Sequence, residues 1–168
     1  MLDVGCGVGG PLRAISVFSG ASVVGLNNNE YQIGRAKAIG ATSKHFAKCT
    51  YIKADFMTLP VASGEFDAAY EIEATCHAPD LRGVYGEIFR VLKPGGKFAS
   101  YEWALTDSYD PSNETHKAHR LAIMKGNGLP DLRSTAECLQ ARARRRCRRR
   151  HPPRRGAAAP GADEHARL

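Results

Sequence analysis

Along the chain, apolar and polar positions alternate in short runs and then switch to a three-to-four residue period, several times over, which predicts parallel strands connected by helices. Residues 1–4 and 22–26 read as short strands, 50–54 as a third and 66–72 as a fourth. Residues 97–103 return to strand and give a fifth. Between them, 11–18 and 30–39 carry helical patterns, the first opened by Pro11, whose missing N–H has no intrahelical partner to lose. The second ends at Gly40. Apolar residues at Leu81, Val84, Tyr85, Ile88, Val91 and Leu92 form a helical stripe over 80–92, closed by the stop signal Lys93-Pro94-Gly95-Gly96. Further helices are predicted over about 115–125 and from Ser134, where Glu137 three residues on completes a capping box. No internal repeat is present.

Composition alters this picture at one place. The chain has 168 residues and a formal charge of +7, a value that directs attention to acidic partners. The excess is not spread evenly: residues 1–141 hold 14 Lys and Arg against 15 Asp and Glu, and residues 142–168 hold ten Arg against Asp163 and Glu164. That last stretch is mostly Arg, Ala, Pro and Gly, without Phe, Tyr, Trp or a β-branched residue, so it has no core-facing stripe and is expected to be a disordered tail. Two readings of it stand open, a basic arm for nucleic acid or anionic lipid and an aberrant terminus. Without aromatics interleaved among the arginines, specific nucleic-acid binding is not expected. With 43% hydrophobic residues, 1–141 suffices for one domain with a core.

No apolar run reaches the roughly 18 residues of a membrane span, and nothing before residue 2 reads as a leader. Cys6, Cys49, Cys76, Cys138 and Cys147 are scattered and contain no C-x-x-C pair, so neither a disulfide framework nor a metal site is expected, and a reducing compartment fits.

The candidate chemistry begins at Asp3-Val4-Gly5-Cys6-Gly7-Val8-Gly9-Gly10, a glycine turn between the first strand and the first helix. Glycines in this spacing also describe a dinucleotide fingerprint. Asp3 decides between the two, because a carboxylate two residues before the first glycine suits a cationic or amine-bearing ligand and opposes a pyrophosphate. The arrangement resembles motif I of class I methyltransferases, whose cofactor S-adenosylmethionine carries a sulfonium, an amine and no phosphate. That resemblance implies roles at the ends of the next strands: Asn27 for the ribose hydroxyls, in a place where an acid is usual, and Asp55 for the adenine amine. Asn27, Asn28 and Asn29 as turn residues, and Asp55 as a turn cap, are the plainer alternatives.

Six further segments narrow the resemblance: GLNNNEYQ (25–32), KADFMTLP (53–60), IEATCHAPD (72–80), EIFRVLKPGG (87–96), YEW (101–103) and GNGLPDLRST (126–135). In this order they resemble the sterol 24-C-methyltransferases over residues 1 to about 141. The resemblance implies a Rossmann-like, doubly wound α/β fold with a parallel sheet, and transfer of a methyl group from S-adenosylmethionine to C24 of a sterol side-chain alkene. It further implies a cofactor site at Asp3, Gly5, Gly7, Gly9, Asn27, Asn28, Asp55 and Phe56, a sterol as partner, no metal, and peripheral association with the cytoplasmic face of the endoplasmic reticulum. For the chemistry, Glu73 and His77 are expected as an acid/base pair and Tyr101 and Trp103 as aromatic pocket lining that steadies a cation. The plainer alternatives are that at least one of Glu71 and Glu73, which flank Ile72, faces solvent, and that His77 only hydrogen-bonds a loop. Packing in the core explains Tyr101 and Trp103 equally well, Cys76 reads as a small buried hydrophobe, and Asp67 as structural. Compared with the family, the sheet is expected to be incomplete: about five strands, the first cut short at Met1, with the C-terminal hairpin and a segment preceding the glycine turn both missing. Another small-molecule methyltransferase of this fold, and a non-catalytic protein with a basic tail, are the competing readings.

Overall fold

The computed structural model describes residues 1–146. Five strands, β1 (Leu2–Val4), β2 (Val23–Asn27), β3 (Cys49–Lys53), β4 (Phe66–Ile72) and β5 (Leu92–Tyr101), form one sheet in the order β3-β2-β1-β4-β5, with every pairing parallel. Helices α1 (Gly10–Ser19), α2 (Glu30–Gly40), α3 (Leu81–Val91), α4 (Glu114–Asn127) and α5 (Thr135–Arg146) complete the set, with short 3-10 turns at Lys44–Phe46 and Thr75–His77. This is the expected doubly wound α/β architecture. The strand order reverses between β1 and β4, and that switch point opens a crevice at the carboxyl ends of the strands.

Pleating assigns each strand residue to one of two cores. Leu2 and Val4 of β1 face the α3 side, where they join Ala69, Val84, Tyr85, Ile88, Val91 and Leu92. The other side, covered by α1 and α2, gathers Cys6, Leu12, Val23, Ile33 and Tyr70. Gly25 is needed in β2 because a Cβ there would sit 2.4 Å from Leu12 Cδ1 and 2.8 Å from Cys6 Sγ. A third, smaller cluster of Cys76, Leu129 and Leu132 takes in Trp103 and Met124 beneath α4.

Helix ends follow local chemistry. Asn29 Oδ1 accepts the Gln32 amide at 3.0 Å, Asp80 accepts from Arg82 and Gly83, and the Ser134–Glu137 capping box forms in both directions, at 2.7 Å and 3.2 Å. Gly20 ends α1 with a left-handed turn, its N–H on Ser16 O at 2.9 Å.

Three boundaries differ from the pattern. The stop signal at 93–96 does not separate α3 from its strand: Leu92 already pairs with Phe66, the next four residues bulge out with Gly95 at φ 83°, and pairing resumes at Ala68↔Lys97. At its other end β5 stops at Tyr101, leaving Trp103 beyond the strand. The compositional break at 142 falls inside α5, where Arg142 stacks 5.1 Å from the Phe98 ring and donates to Phe98 O at 3.3 Å. The remainder of the expected tail, 147–168, lies outside the described residues.

Candidate functional site

A cleft of about 520 Å³ occupies the crevice, and its walls come from four strand ends. Gly5 and Gly7 follow β1; Asn27 and Asn28 close β2; Asp55 and Phe56 follow β3; Glu73, Ala74 and His77 follow β4. Eight residues expected from the sequence, Gly5, Gly7, Asn27, Asn28, Asp55, Phe56, Glu73 and His77, therefore meet in one space although they are spread over 73 positions. Among the described residues no Lys or Arg lines it.

The glycine turn owes its course to backbone geometry. Gly5 and Gly7 have φ of 82° and 54°, and the Gly5 and Cys6 amides both point back to Leu26 O, at 2.8 Å and 3.0 Å. A Cβ on Gly5 would lie 2.4 Å from the Ala74 Cβ, so glycine lets the β4 loop close against the turn. Around it the cleft offers acceptors. The Asn27 amide donates to Gln32 Oε1 at 2.7 Å, and one Asp55 oxygen caps the Met57 amide at 2.8 Å, so the turn-cap role of Asp55 and its place on the wall coexist. Gln32, Met57, Ala74 and Pro79 also line the cleft without having been singled out in the sequence, as does Asn29, named there only as a turn residue. For Gln32 a signal existed: Asn29-x-x-Gln32 has capping spacing, and the Gln side chain turns to Asn27 instead of to its own helix end.

Four expected site residues stand elsewhere. Asp3 is 3% exposed, on the α1 side of β1 beneath the turn, where its carboxylate accepts the Tyr70 hydroxyl at 3.2 Å. Burial pushes its pKa up to about 7, against the pull of the Tyr70 bond, and the nearby charge of Glu71 adds to the rise. Gly9 is the N-cap of α1, with Tyr51 and Arg13 filling the space where a side chain would be. Tyr101, at the end of the edge strand, is 70% exposed. Trp103 belongs to the cluster beneath α4, beside a gap of about 10 Å³ among Cys76, Glu102, Arg133 and Cys138 that is too small for a substrate. Cys76 is buried, and burial pushes its thiol up to about 12, in keeping with a packing role. Asp67 pairs with Lys93 at 2.7 Å on the surface, far from the cleft edge of β4.

Behind the Glu73 wall stands a polar network. Glu71, 1% exposed, accepts from Ala74 N at 3.0 Å, Thr75 N at 3.4 Å and the Ser100 hydroxyl. Glu102 accepts from Cys76 N at 2.6 Å, Thr75 Oγ1 at 3.0 Å and Trp103 N at 2.8 Å. Glu73 itself has φ 53°, the single non-glycine residue with positive φ among the described residues, and its N–H bonds to Tyr101 O at 2.7 Å. Among the described residues no group of three or more His, Cys, Asp and Glu is arranged to hold a metal ion.

Known proteins resemble the chain in sequence and in fold. The cycloartenol-C-24-methyltransferase 1 of Oryza sativa subsp. japonica is 60% identical over 141 residues, 84% of this chain and 41% of that protein. The cycloartenol-C-24-methyltransferase of Arabidopsis thaliana is 55% identical over the same length, 42% of that protein. A sterol 24-C-methyltransferase of Saccharomyces cerevisiae is 51% identical over 132 residues, 79% of this chain and 34% of that one. The chain thus spans about two fifths of the length of the curated relatives it matches. Among solved structures, the geranyl diphosphate C-methyltransferase of Streptomyces coelicolor A3(2) shares the fold with a TM-score of 0.74 at 21% identity, over 85% of this chain and 50% of that one. The methyltransferase domain family matches residues 2–100, from β1 and its glycine turn to the penultimate residue of β5, and the chain belongs to that family.

Proposed function

We propose that the cleft binds S-adenosylmethionine and serves methyl transfer to C24 of a sterol side-chain alkene. The observation that carries this reading is the chemistry of the cleft wall: amides and carboxylates of Asn27, Asn28, Asp55 and Glu73, with no Lys or Arg beside them among the described residues. Such a wall suits a ligand with hydroxyls, amines and a positive charge, and among the described residues it brings no cationic side chain to a pyrophosphate. The relatives named above supply the substrate class, since their names specify C-24 methylation of sterols.

When bound, S-adenosylmethionine supplies an electrophilic methyl group on a positively charged sulfur. Asn27 and Asn28 would hold its hydroxyls and Asp55 its amino-purine, while the narrow glycine turn admits the ligand close to the backbone. Asp3 acts from below the turn, as a negative charge in a poorly solvated place. The alkene is a weak nucleophile, so a fixed approach and the exclusion of water matter more than activation. Replacing a hydrogen of the side chain by methyl releases one proton, and Glu73 and His77, on one wall of the cleft, are the groups to accept it. The sterol as a membrane lipid supports peripheral action at the endoplasmic reticulum surface; among the described residues no helix is long and apolar enough to cross a membrane.

Titration calorimetry of the full chain with S-adenosylmethionine tests the assignment. Asp55→Ala and Asn27→Ala are each expected to weaken binding tenfold or more. Binding that survives Asp3→Ala together with Asp55→Ala would refute it.

A further inference from the structure

The loop that carries Glu73 and His77 is held by two acids that do not line the cleft. Three consecutive amides, Ala74, Thr75 and Cys76, donate to Glu71 or Glu102, and the Thr75 hydroxyl donates to Glu102 as well. Glu71 lies in β4 and Glu102 directly follows the neighbouring β5, where Glu71 pairs in register with Ser100, two residues before Glu102. Each acid also has an anchor of its own, the Ser100 hydroxyl for Glu71 and the Trp103 amide for Glu102. The loop begins with the strained residue: Glu73 stays at φ 53° between the Tyr101 carbonyl, which takes its N–H, and the three clamped amides that follow.

Two carboxylates so close together under the sheet edge are an expensive way to satisfy three amides. Burial and the charge of Glu102 raise the pKa of Glu71, although the bonds from Ser100 and from the Ala74 and Thr75 amides oppose the rise. A strained backbone on the loop, held by a buried carboxylate and a half-buried one beside it, marks a segment whose shape is fixed for use rather than for stability.

We propose that Glu71 and Glu102 are positioning residues of the site: by clamping amides 74–76 they fix the left-handed turn at Glu73 and so hold Glu73 and His77 against the cleft. The kinetic consequence rests on the methyl-transfer reading, whereas the clamp itself does not.

The full chain serves for the test, with amide hydrogen exchange followed by NMR, S-adenosylmethionine titrated by calorimetry, and methyl transfer measured on a sterol with a side-chain alkene. Glu71→Ala and Glu102→Ala are each expected to speed exchange at 74–76 tenfold or more while β1 and β2 amides keep their protection. They should lower kcat at least tenfold and change the S-adenosylmethionine dissociation constant less than threefold. Glu71→Gln and Glu102→Gln retain an acceptor oxygen and are expected to restore both protection and a kcat within threefold of the wild type. Unchanged exchange at 74–76 in the alanine variants overturns the clamp; faster exchange with an unchanged kcat overturns the positioning role. If an alanine variant does not fold, its glutamine counterpart decides, and a tenfold loss of kcat there overturns positioning in favour of a role for the charge itself. A wild-type chain that neither binds S-adenosylmethionine nor transfers methyl groups defeats the functional reading alone, and the exchange data then judge the clamp.

Discussion

Asp3→Asn should make the protein more stable at pH 8, and by a clearly smaller margin at pH 5. In the folded chain the Asp3 carboxyl is buried beneath the glycine turn, and its pKa rises from an ordinary 3.8 to about 7. A folded-state pKa above the unfolded one means that the native state holds the proton longer, so stability is present in full below pH 4 and is lost as pH climbs through 7. Most of the loss falls between pH 5 and pH 8, where a shift of this size removes about 3 kcal/mol. Asparagine keeps the acceptor for the Tyr70 hydroxyl and never ionises. The gap in melting temperature between variant and wild type should therefore widen by roughly 10 °C from pH 5 to pH 8. Taking the difference between the two proteins cancels the titrating groups that do not sense the Asp3 charge, and leaves Asp3 together with its neighbour Glu71. Scanning calorimetry at four pH values suffices, and parallel melting curves for the two proteins would refute the reasoning. If the functional reading holds as well, the stabilised variant binds S-adenosylmethionine more weakly, because the charge that burdens the fold is the charge that attracts the ligand.

Other changes give sharp expectations. Gly25→Ala places a methyl group 2.4 Å from Leu12 Cδ1 and should lower stability by about 1–3 kcal/mol, read from the urea midpoint. Glu73→Gly releases a backbone held at φ 53° and should raise stability by about 1 kcal/mol while depressing methyl transfer, so that melting temperature and rate move in opposite directions. Arg142→Ala removes a guanidinium 5.1 Å from the Phe98 ring and should cost about 1 kcal/mol, with exchange at the α5 amides rising ahead of those in α3.

Periodicity captured the strands and helices because each has a one-sided apolar stripe: the five positions of α3 that are buried, Leu81, Val84, Tyr85, Ile88 and Val91, are those its spacing marks. Strand ends were harder, since Leu92 serves two elements, closing α3 and opening β5, and no residue pattern announces a bulge of four. The cleft was legible where ligand chemistry demands particular residue types at strand ends, as at Asn27, Asp55 and Glu73. Asp3 was recognised as important, but its distance below the cleft surface depends on which face of a three-residue strand it occupies. Glu71 was unreadable for a related reason. An acid beside an apolar residue in a strand suggests solvent, and only the pairing of β4 with β5 brings the Ser100 hydroxyl to it. Trp103 fell on the wrong side of a strand end, where one residue more or less decides between lining and packing.

The central seat of β1 has a consequence for how the chain reaches its fold. Leu2 pairs with Val24 on one side and Ala69 on the other, 22 and 67 residues away. Closing the longer loop costs only roughly 1 kcal/mol more in chain entropy. In time, however, the two partners differ, for as the chain lengthens β2 is present well before β4. Until β4 docks, a three-stranded half-sheet shows the open edge of β1, flanked by the apolar faces of Leu2 and Val4, to any other chain nearby. Refolding yield should accordingly fall with protein concentration, and a peptide of residues 66–72 supplied in excess should slow rather than assist recovery. The strand hardest to strip from the finished sheet is the one that waits longest for its second neighbour.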